Sequence, residues 1–261
     1  MKNILIIYPG FLHYRKGILD ELIATKEQNF MFVGDKNGFN GIKPYQFENE
    51  ADLHHVKNYR KGQFLFSKGL LKYVFSQKAD GAIVHASPYW ITMSLASLIL
   101  KLRGIKVYNW THGLLSDKKD LKNYFYYFYF KIFFNGLLLY GENSKKNLEN
   151  IGYDSKKLHV LFNSLDYKKQ IKYRNSLSNE SKQKVRESLF KNPTNKQLLF
   201  IGRLTSWKKI DQLIDALALL KKDNHFVNLL IVGDGNQKTK LQQKVKSLEL
   251  SELVHFYGPS Y

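Results

Sequence analysis

The densest chemical pattern in this chain lies in its last third, where FIGRLTSWKKIDQLIDALALL is followed by VNLLIVGDGNQKTKLQQKVKSL and then by LVHFYG. The alternation of apolar runs with glycine and basic turns predicts strand, basic turn, helix, strand, glycine turn, helix, strand. Arg203 and Lys208 then fall at the carboxyl end of the first of these strands. Open α/β sheets bind ligands at that end, and the following helix begins there with unpaired N–H groups. Two fixed cations beside a helix N-terminus suit a diphosphate, because arginine forks onto phosphate oxygens and lysine acts as a point charge. Two surface cations flanking an ordinary turn are the plain alternative. Gly233 and Gly235 bracket Asp234 at the end of the second strand. A dinucleotide fingerprint needs a third glycine and a well-placed acidic residue downstream, and both are missing, so a tight turn into the next helix is expected.

Two earlier places also put polar side chains directly after apolar runs. ILIIY leads into Pro9-Gly10-Phe11-Leu12-His13-Tyr14-Arg15, and Lys106–Trp110 leads into Thr111-His112-Gly113. His112 therefore belongs near the carboxyl edge of a first sheet, as does the loop of Gly10, His13 and Arg15. A helix-capping or structural role is the alternative for His112, and a plain strand-to-helix turn is the alternative for the loop.

The elements that must position these residues alternate along the chain. Asn3–Tyr8, Phe30–Val33, Gly81–His85, Lys106–Trp110, Gly136–Tyr140 and Leu158–Phe162 are expected strands. Gln63–Ser76, with Phe64, Leu65, Leu71, Val74 and Phe75 at helical spacings, predicts a helix, and Ser144–Ile151 predicts a short one stopped by Gly152. Ile210 to Leu220 places Ile210, Leu213, Ile214, Leu217 and Leu220 on one face, with Asp211 favouring the helix dipole. Such alternation argues for parallel sheets covered by helices. The fold class read from it is α/β with two Rossmann-like lobes, the second incomplete. An N-terminal domain is expected over 1–166, a polar linker with one short helix near Ser181–Phe190 over 167–196, and a partial C-terminal domain over 197–261.

Bulk composition narrows the classes. The 261 residues contain no cysteine, which excludes disulfides and thiolate metal sites and makes a reducing, cytoplasmic setting the expectation. The opening ILIIY is too short for a signal-peptide core. The longest other apolar run, Tyr89 to Leu102, carries Thr92, Ser94, Ser97 and Lys101 and falls short of the roughly 20 residues of a membrane span. A formal charge of +19 implies attraction to something anionic, or else a solvated lysine-rich surface. The run Tyr124-Phe125-Tyr126-Tyr127-Phe128-Tyr129-Phe130, with Phe133 and Phe134 beyond, follows Lys118, Lys119 and Lys122. It fits a helix lying in an anionic bilayer interface and equally a helix buried against the sheet. Stacking of nucleic-acid bases would be a third use, but no known nucleic-acid module is legible and no nucleic-acid partner is expected.

The order and spacing of Gly202-Arg203-Leu204, Lys208, Ile210-Asp211, Val232-Gly233-Asp234-Gly235 and Val254-His255-Phe256-Tyr257-Gly258 resemble the opening of the C-terminal domain in GT-B glycosyltransferases of family 4, the group 1 family. The first lobe resembles it more loosely, through its βα alternation, THG at 111–113 and NSLD at 163–166. By that resemblance Arg203 and Lys208 hold the diphosphate of a nucleotide-sugar and offset the charge growing on the leaving nucleoside diphosphate. His112 faces the donor sugar, where a neutral imidazole hydrogen-bonds a hydroxyl without acting as a base. Gly10, Gly202, Gly233, Gly235, Tyr257 and Gly258 line the donor site through backbone, while His13 and Arg15 meet the acceptor. The family's glycine-rich first loop keeps only Gly10 here.

The activity implied is transfer of a sugar from a nucleotide-sugar to a saccharide or lipid-linked acceptor in surface polysaccharide or glycolipid synthesis. Retention of anomeric configuration, no cofactor, no metal, and deprotonation of the acceptor with help from the donor's own phosphate are also implied. The absence of an Asp-x-Asp pair agrees with the metal-free course. A cytoplasmic enzyme, peripheral on the inner face of the membrane, would be the setting. The sequence ends before the later Glu-x7-Glu element usual in the family, and Glu249 and Glu252 are too close together to replace it. Either a fragment of a longer enzyme or an inactive truncated remnant that binds nucleotide or a partner is expected on that ground, with a basic nucleic-acid-binding protein as a further rival.

Overall fold

The computed structural model describes residues 1–39, 42–49, 52–162 and 166–260. The Asn163-Ser164-Leu165 part of the NSLD stretch lies outside the described residues. Two compact units divide the chain, Met1–Gln170 and Ile171–Tyr261.

In the first unit β1 (Lys2–Ile7) leads through α1 (Lys16–Ala24) to β2 (Gln28–Gly34) and β3 (Leu53–His55). A hairpin of β4 (Lys57–Lys61) and β5 (Phe64–Lys68) and then α2 (Leu70–Ser76) precede β6 (Gly81–Val84). The remainder alternates: α3 (Ile91–Leu102), β7 (Lys106–Thr111), α4 (Leu121–Phe133), β8 (Gly136–Leu139), α5 (Glu142–Asn150) and β9 (Leu158–Val160). Seven strands form one sheet in the order β3-β2-β1-β6-β7-β8-β9, and every neighbouring pair is parallel. The chain grows outward from β1 through β2 and β3, then crosses back to add β6 on β1's other side. That reversal makes the β1/β6 boundary a topological switch point, the place where such sheets open a crevice.

One expected element is corrected. The first half of the helix expected over Gln63–Ser76 is strand β5, and only Leu70–Ser76 is helical. Gly69 separates them with φ of +92°, a conformation that no helix interior accepts. The aromatic and branched stretch Phe64-Leu65-Phe66 finds better partners as a strand. Tyr59 stacks on Phe66 across the hairpin, with ring centroids 5.3 Å apart. The Leu65 amide donates to the Tyr89 carbonyl at 2.8 Å.

The aromatic helix α4 resolves its two readings by face. Tyr129, Phe130 and the following Phe134 are buried in the core beneath it, where the Tyr129 hydroxyl meets Ser94 Oγ at 2.8 Å. On the opposite side Leu121, Phe125, Phe128 and Ile132 are exposed at spacings of one helical stripe. Asp120 caps the helix by accepting from the Asn123 amide at 2.8 Å. At its far end Lys101 Nζ donates to the carbonyls of Lys131, Ile132 and Phe134, neutralising that end of the helix dipole. Among the described residues no helix is long and apolar enough to cross a membrane.

Two polar helices, α6 (Tyr167–Ser176) and α7 (Asn179–Leu189), occupy the stretch in which one short helix was expected. Ser178 caps α7 by accepting from the Ser181 amide at 3.1 Å. The second unit continues with β10 (Lys196–Ile201), α8 (Ile210–Lys222), β11 (Val227–Val232), α9 (Lys238–Ser247) and β12 (Val254–Gly258). Its parallel sheet runs β10-β11-β12. Leu229 and Ile231 of the central strand meet Ile210, Ile214 and Leu217 of α8 and Leu241 and Val245 of α9 in a core of their own.

The two faces of α4 give a direct test. Phe130→Ala is expected to lower stability in urea unfolding by roughly 3–5 kcal/mol, whereas Phe128→Ala changes it by less than about 1 kcal/mol. Equal losses would mean that the exposed stripe is also packed.

Candidate functional site

In the first unit the carboxyl ends of four adjacent strands deliver one cluster. Tyr8 follows β1, His85 follows β6, Trp110 and His112 lie at the end of β7, and Tyr140 follows β8. Arg15, in the 3-10 turn His13–Arg15 that opens α1, enters from the side. Its guanidinium carbon lies 4.8 Å from the Trp110 ring, 5.2 Å from Tyr8 and 5.9 Å from both Tyr14 and Tyr140. Arg15 Nη2 donates to the Tyr140 hydroxyl at 2.8 Å, which in turn lies 3.3 Å from the Tyr8 hydroxyl. The Tyr8 ring packs on His85, centroids 4.6 Å apart, across the switch point.

The surroundings favour the uncharged forms of His85, His112 and Tyr8. Burial drives the His85 pKa down to about 4, with the charges of Arg15 and His112 adding to it and a backbone hydrogen bond opposing it. That bond joins Nδ1 to the Trp110 carbonyl at 2.7 Å, so in the neutral ring Nδ1–H donates and Nε2 is left as an acceptor. Partial burial and then Arg15's charge lower the His112 pKa as well. Burial raises the Tyr8 phenol far above its ordinary value, against the pull of Arg15. Desolvation opposes the Arg15 cation, yet its pKa is raised above the ordinary arginine value, its hydrogen bond to the Tyr140 hydroxyl among the causes, and it stays charged.

The loops bearing these groups are pinned. Buried Asn109 exchanges two 3.1 Å hydrogen bonds with the backbone of Ala86, fixing the segment after β6. Ser144 of α5 donates to the carbonyls of His112 and Leu114, and Gly113 turns the chain between them with φ of +63°. Gly10 has a packing role: a Cβ there would meet the Gly38 carbonyl group at 2.8 Å. His13 is occupied as well, with Nδ1 3.1 Å from the Lys43 carbonyl oxygen.

The second unit has its own carboxyl edge. Three turns there are laced through backbone: Gly202 donates to Val232 at 3.0 Å, Leu204 to Asp234 at 2.9 Å and Gly233 to Gly258 at 2.8 Å. A Cβ on Gly233 would overlap the Gly202 carbonyl oxygen, and one on Gly235 would overlap that of Leu204. Glycine is therefore required for the turns to touch. Leu204 is fully buried while its neighbour Arg203 is exposed, so burial of the one fixes the exit of the other. Lys208 is exposed at the 3-10 turn before α8, its Nζ 4.1 Å from the centre of the Trp207 ring. Among the described residues neither Arg203 nor Lys208 has an ion pair. Asp234, by contrast, accepts from the Gly235 amide and lies 3.7 Å from Lys238 at the start of α9. Tyr257 is exposed on β12, beside the positive-φ Gly258.

Tyr8, His85, Trp110 and Tyr140 were not singled out in the sequence. Each stands at the end of an apolar run, and that placement was the available signal. Their convergence needed the strand order, which puts β6 beside β1 across a long insertion.

Seen whole, the chain has the GT-B glycosyltransferase fold. Anabaena HepE, solved in complex with UDP, matches all of it and 70% of its own length, with a TM-score of 0.66 at 18% identity. WaaG, a glycosyltransferase involved in lipopolysaccharide biosynthesis, matches over 99% of this chain and 70% of its own, with a TM-score of 0.62 at 13% identity. Residues 181–261, the segment that bears Arg203 and Lys208, match the family Glycosyl transferases group 1. Over 64 residues the chain is 38% identical to the amylovoran biosynthesis glycosyltransferase AmsD of Erwinia amylovora. That segment is 24% of this chain and 18% of AmsD, so the chain matches under a fifth of that curated relative.

The depressed His85 pKa has a consequence for stability. Its folded value lies below the ordinary one near 6.5, so the unfolded chain binds the extra proton, and the neutral ring's contribution is complete above that pH and lost as pH falls toward 4. Between pH 7 and pH 4 the stability of the wild type relative to His85→Gln should fall by about 3 kcal/mol. A difference that does not change with pH would show that the site tolerates the imidazolium.

Proposed function

We propose that this chain transfers a sugar from a nucleotide-sugar donor to a saccharide or lipid-linked acceptor, in the synthesis of a surface polysaccharide or glycolipid. The observation that carries the reading is the pair Arg203 and Lys208: exposed, without ion pairs among the described residues, at the carboxyl edge of a parallel sheet, inside the segment that matches the group 1 family. The structures of HepE in complex with UDP and with UDP-glucose agree with a nucleotide-sugar donor. AmsD's role in amylovoran biosynthesis agrees with a polysaccharide product.

In this reading Arg203 forks onto the donor diphosphate and Lys208 adds a second charge, stabilising the leaving nucleoside diphosphate as the glycosidic bond breaks. The backbone of Gly202, Gly233, Gly235, Tyr257 and Gly258 lines the donor. His112, exposed beside Tyr140 with ring centroids 4.4 Å apart, hydrogen-bonds a donor-sugar hydroxyl as a neutral ring. His13 and Arg15 belong to the acceptor side, and Gly10 supports their loop. The resemblance to family 4 adds retention of configuration and a course without metal or cofactor, in which the donor's own phosphate helps take the acceptor proton.

The reading extends to an anionic membrane face. The exposed stripe of Leu121, Phe125, Phe128 and Ile132 supports it, together with Lys118, Lys119 and Lys122 at one end and the chain's +19 charge. A lipid-linked acceptor would then be met at the inner surface of the membrane.

Two measurements test this. By isothermal titration, Arg203→Ala should weaken UDP binding about tenfold or more and leave uridine binding unchanged, since only the former loses a charged hydrogen bond. Equal effects on both would remove Arg203 from the phosphate site. In co-sedimentation, replacing Lys118, Lys119 and Lys122 by glutamine should cut binding to phosphatidylglycerol-containing vesicles by about tenfold or more. Unchanged partitioning would leave the stripe without a membrane role.

A further inference from the structure

Arg15 is a charged side chain that its own protein leaves only partly answered. The guanidinium has five N–H donors in one plane. Among the described residues one donor is used, by Nη2 to the Tyr140 hydroxyl; Nη1 has no hydrogen-bond partner, and Nε is buried without one. No aspartate or glutamate among the described residues pairs with it. Its neighbours are the rings of Tyr8, Tyr14, Trp110 and Tyr140. A half-buried cation normally recruits a carboxylate, because ring faces offset only part of its desolvation. Trp110 adds a second orphan beside it, since its Nε1–H is also buried without a partner.

The surroundings narrow what would complete this arrangement. Arg15 stands at the β1/β6 switch point among groups that can recognise hydroxyls: His85 with its Nε2 acceptor, the Tyr8 and Tyr140 hydroxyls, and His112. A monoanion adds the missing countercharge, and a planar fork recognises two of its oxygens at once. In the transfer reading the donor diphosphate is met by Arg203 and Lys208 of the second unit, which have no ion pair among the described residues.

We infer that Arg15 binds an oxyanion of the acceptor, so that the acceptor is an acidic saccharide: one bearing a phosphate, as in a phosphate link to a lipid carrier, or a sugar carboxylate. This rests on the transfer reading above and names the acceptor's chemical class. The aromatic walls orient the fork and exclude competing water, and the free donors supply the specificity for charge.

The test uses the full chain with glucose 1-phosphate, glucuronate and methyl glucoside as probes, titrated with and without saturating UDP, in the wild type, Arg15→Gln and Arg15→Lys. Both anionic probes, or one of them, should bind the wild type about tenfold or more tighter than methyl glucoside. Arg15→Gln should abolish that advantage while leaving UDP affinity unchanged, and Arg15→Lys, which keeps the charge and loses the fork, should retain part of it. Preference for glucose 1-phosphate assigns the phosphate source, and preference for glucuronate the acidic sugar. Equal binding of charged and neutral probes by the wild type, or an advantage that survives Arg15→Gln, overturns the inference. Loss of UDP binding in a folded Arg15→Gln would assign Arg15 to the donor and overturn it too. Failure of the wild type to bind UDP would instead count against the transfer reading, and the titrations without UDP would still decide whether Arg15 selects an anion.

Discussion

The position of β1 in the first sheet governs most of what this molecule can do. It is hydrogen-bonded in parallel to β2 on one side and to β6 on the other, although 53 positions separate β2's first residue, Gln28, from β6's first, Gly81. Because neighbouring strands are parallel, every carboxyl end points to the same edge, and because the chain reverses direction at β1, the loops after β1 and β6 leave in opposite senses. Tyr8, Arg15 and His85 meet in the space this opens. Antiparallel pairing at that boundary would send His85 to the opposite edge from Tyr8 and dissolve the cluster.

The two edges meet the burial of polar groups differently. In the first unit His85, His112 and Tyr8 sit in surroundings that favour their uncharged forms, and the Arg15 cation beside them is wrapped in rings. In the second unit Arg203 and Lys208 stand in solvent, where a cation carries little desolvation cost and loses strength to screening until a ligand covers it. The backbone fixes where they stand: with Gly233 lying on the Gly202 carbonyl and Gly235 on that of Leu204, the turn bearing Arg203 has little freedom to shift.

Legibility in the sequence followed the range of the interactions involved. The strands containing Ile4 to Ile7, Ala82 to Val84, Val107 to Asn109 and Leu229 to Ile231 were readable because each is a short apolar run between turn residues, and burial of that run is what makes it a strand. Gly152, Gly233 and Gly235 were readable because turn chemistry is local. The Phe64–Lys68 strand was not, since apolar residues at 64, 65, 71, 74 and 75 satisfy a helical period and the competing strand depends on Tyr59 and Tyr89, neither of them an immediate neighbour. The aromatic run of α4 left its orientation open for the same reason: rings on all sides of a helix carry no period, and Ser94 and Lys101 of α3 decide which side is buried. Arg15 was legible as a basic residue in a loop. Its cage was not, because Trp110 and Tyr140 reach it only through strand order.

That difference bears on where specificity in such a molecule comes from. The turn with two exposed cations is held by residues within about thirty positions of it, Gly202 and Leu204 against Gly233 and Gly235, all inside the matching segment 181–261. The caged arginine is specified by residues more than a hundred positions apart, Arg15 with Tyr140 and Tyr8 with Tyr140, and each contributes through packing. Replacing one ring of that cage changes the distance, exposure and hydrogen bonding of the cation together, without altering the fold that presents it. Substitutions at the strand ends of the first unit can therefore change the surroundings of Arg15 while the turn of the second unit that bears Arg203 and Lys208 stays as it is.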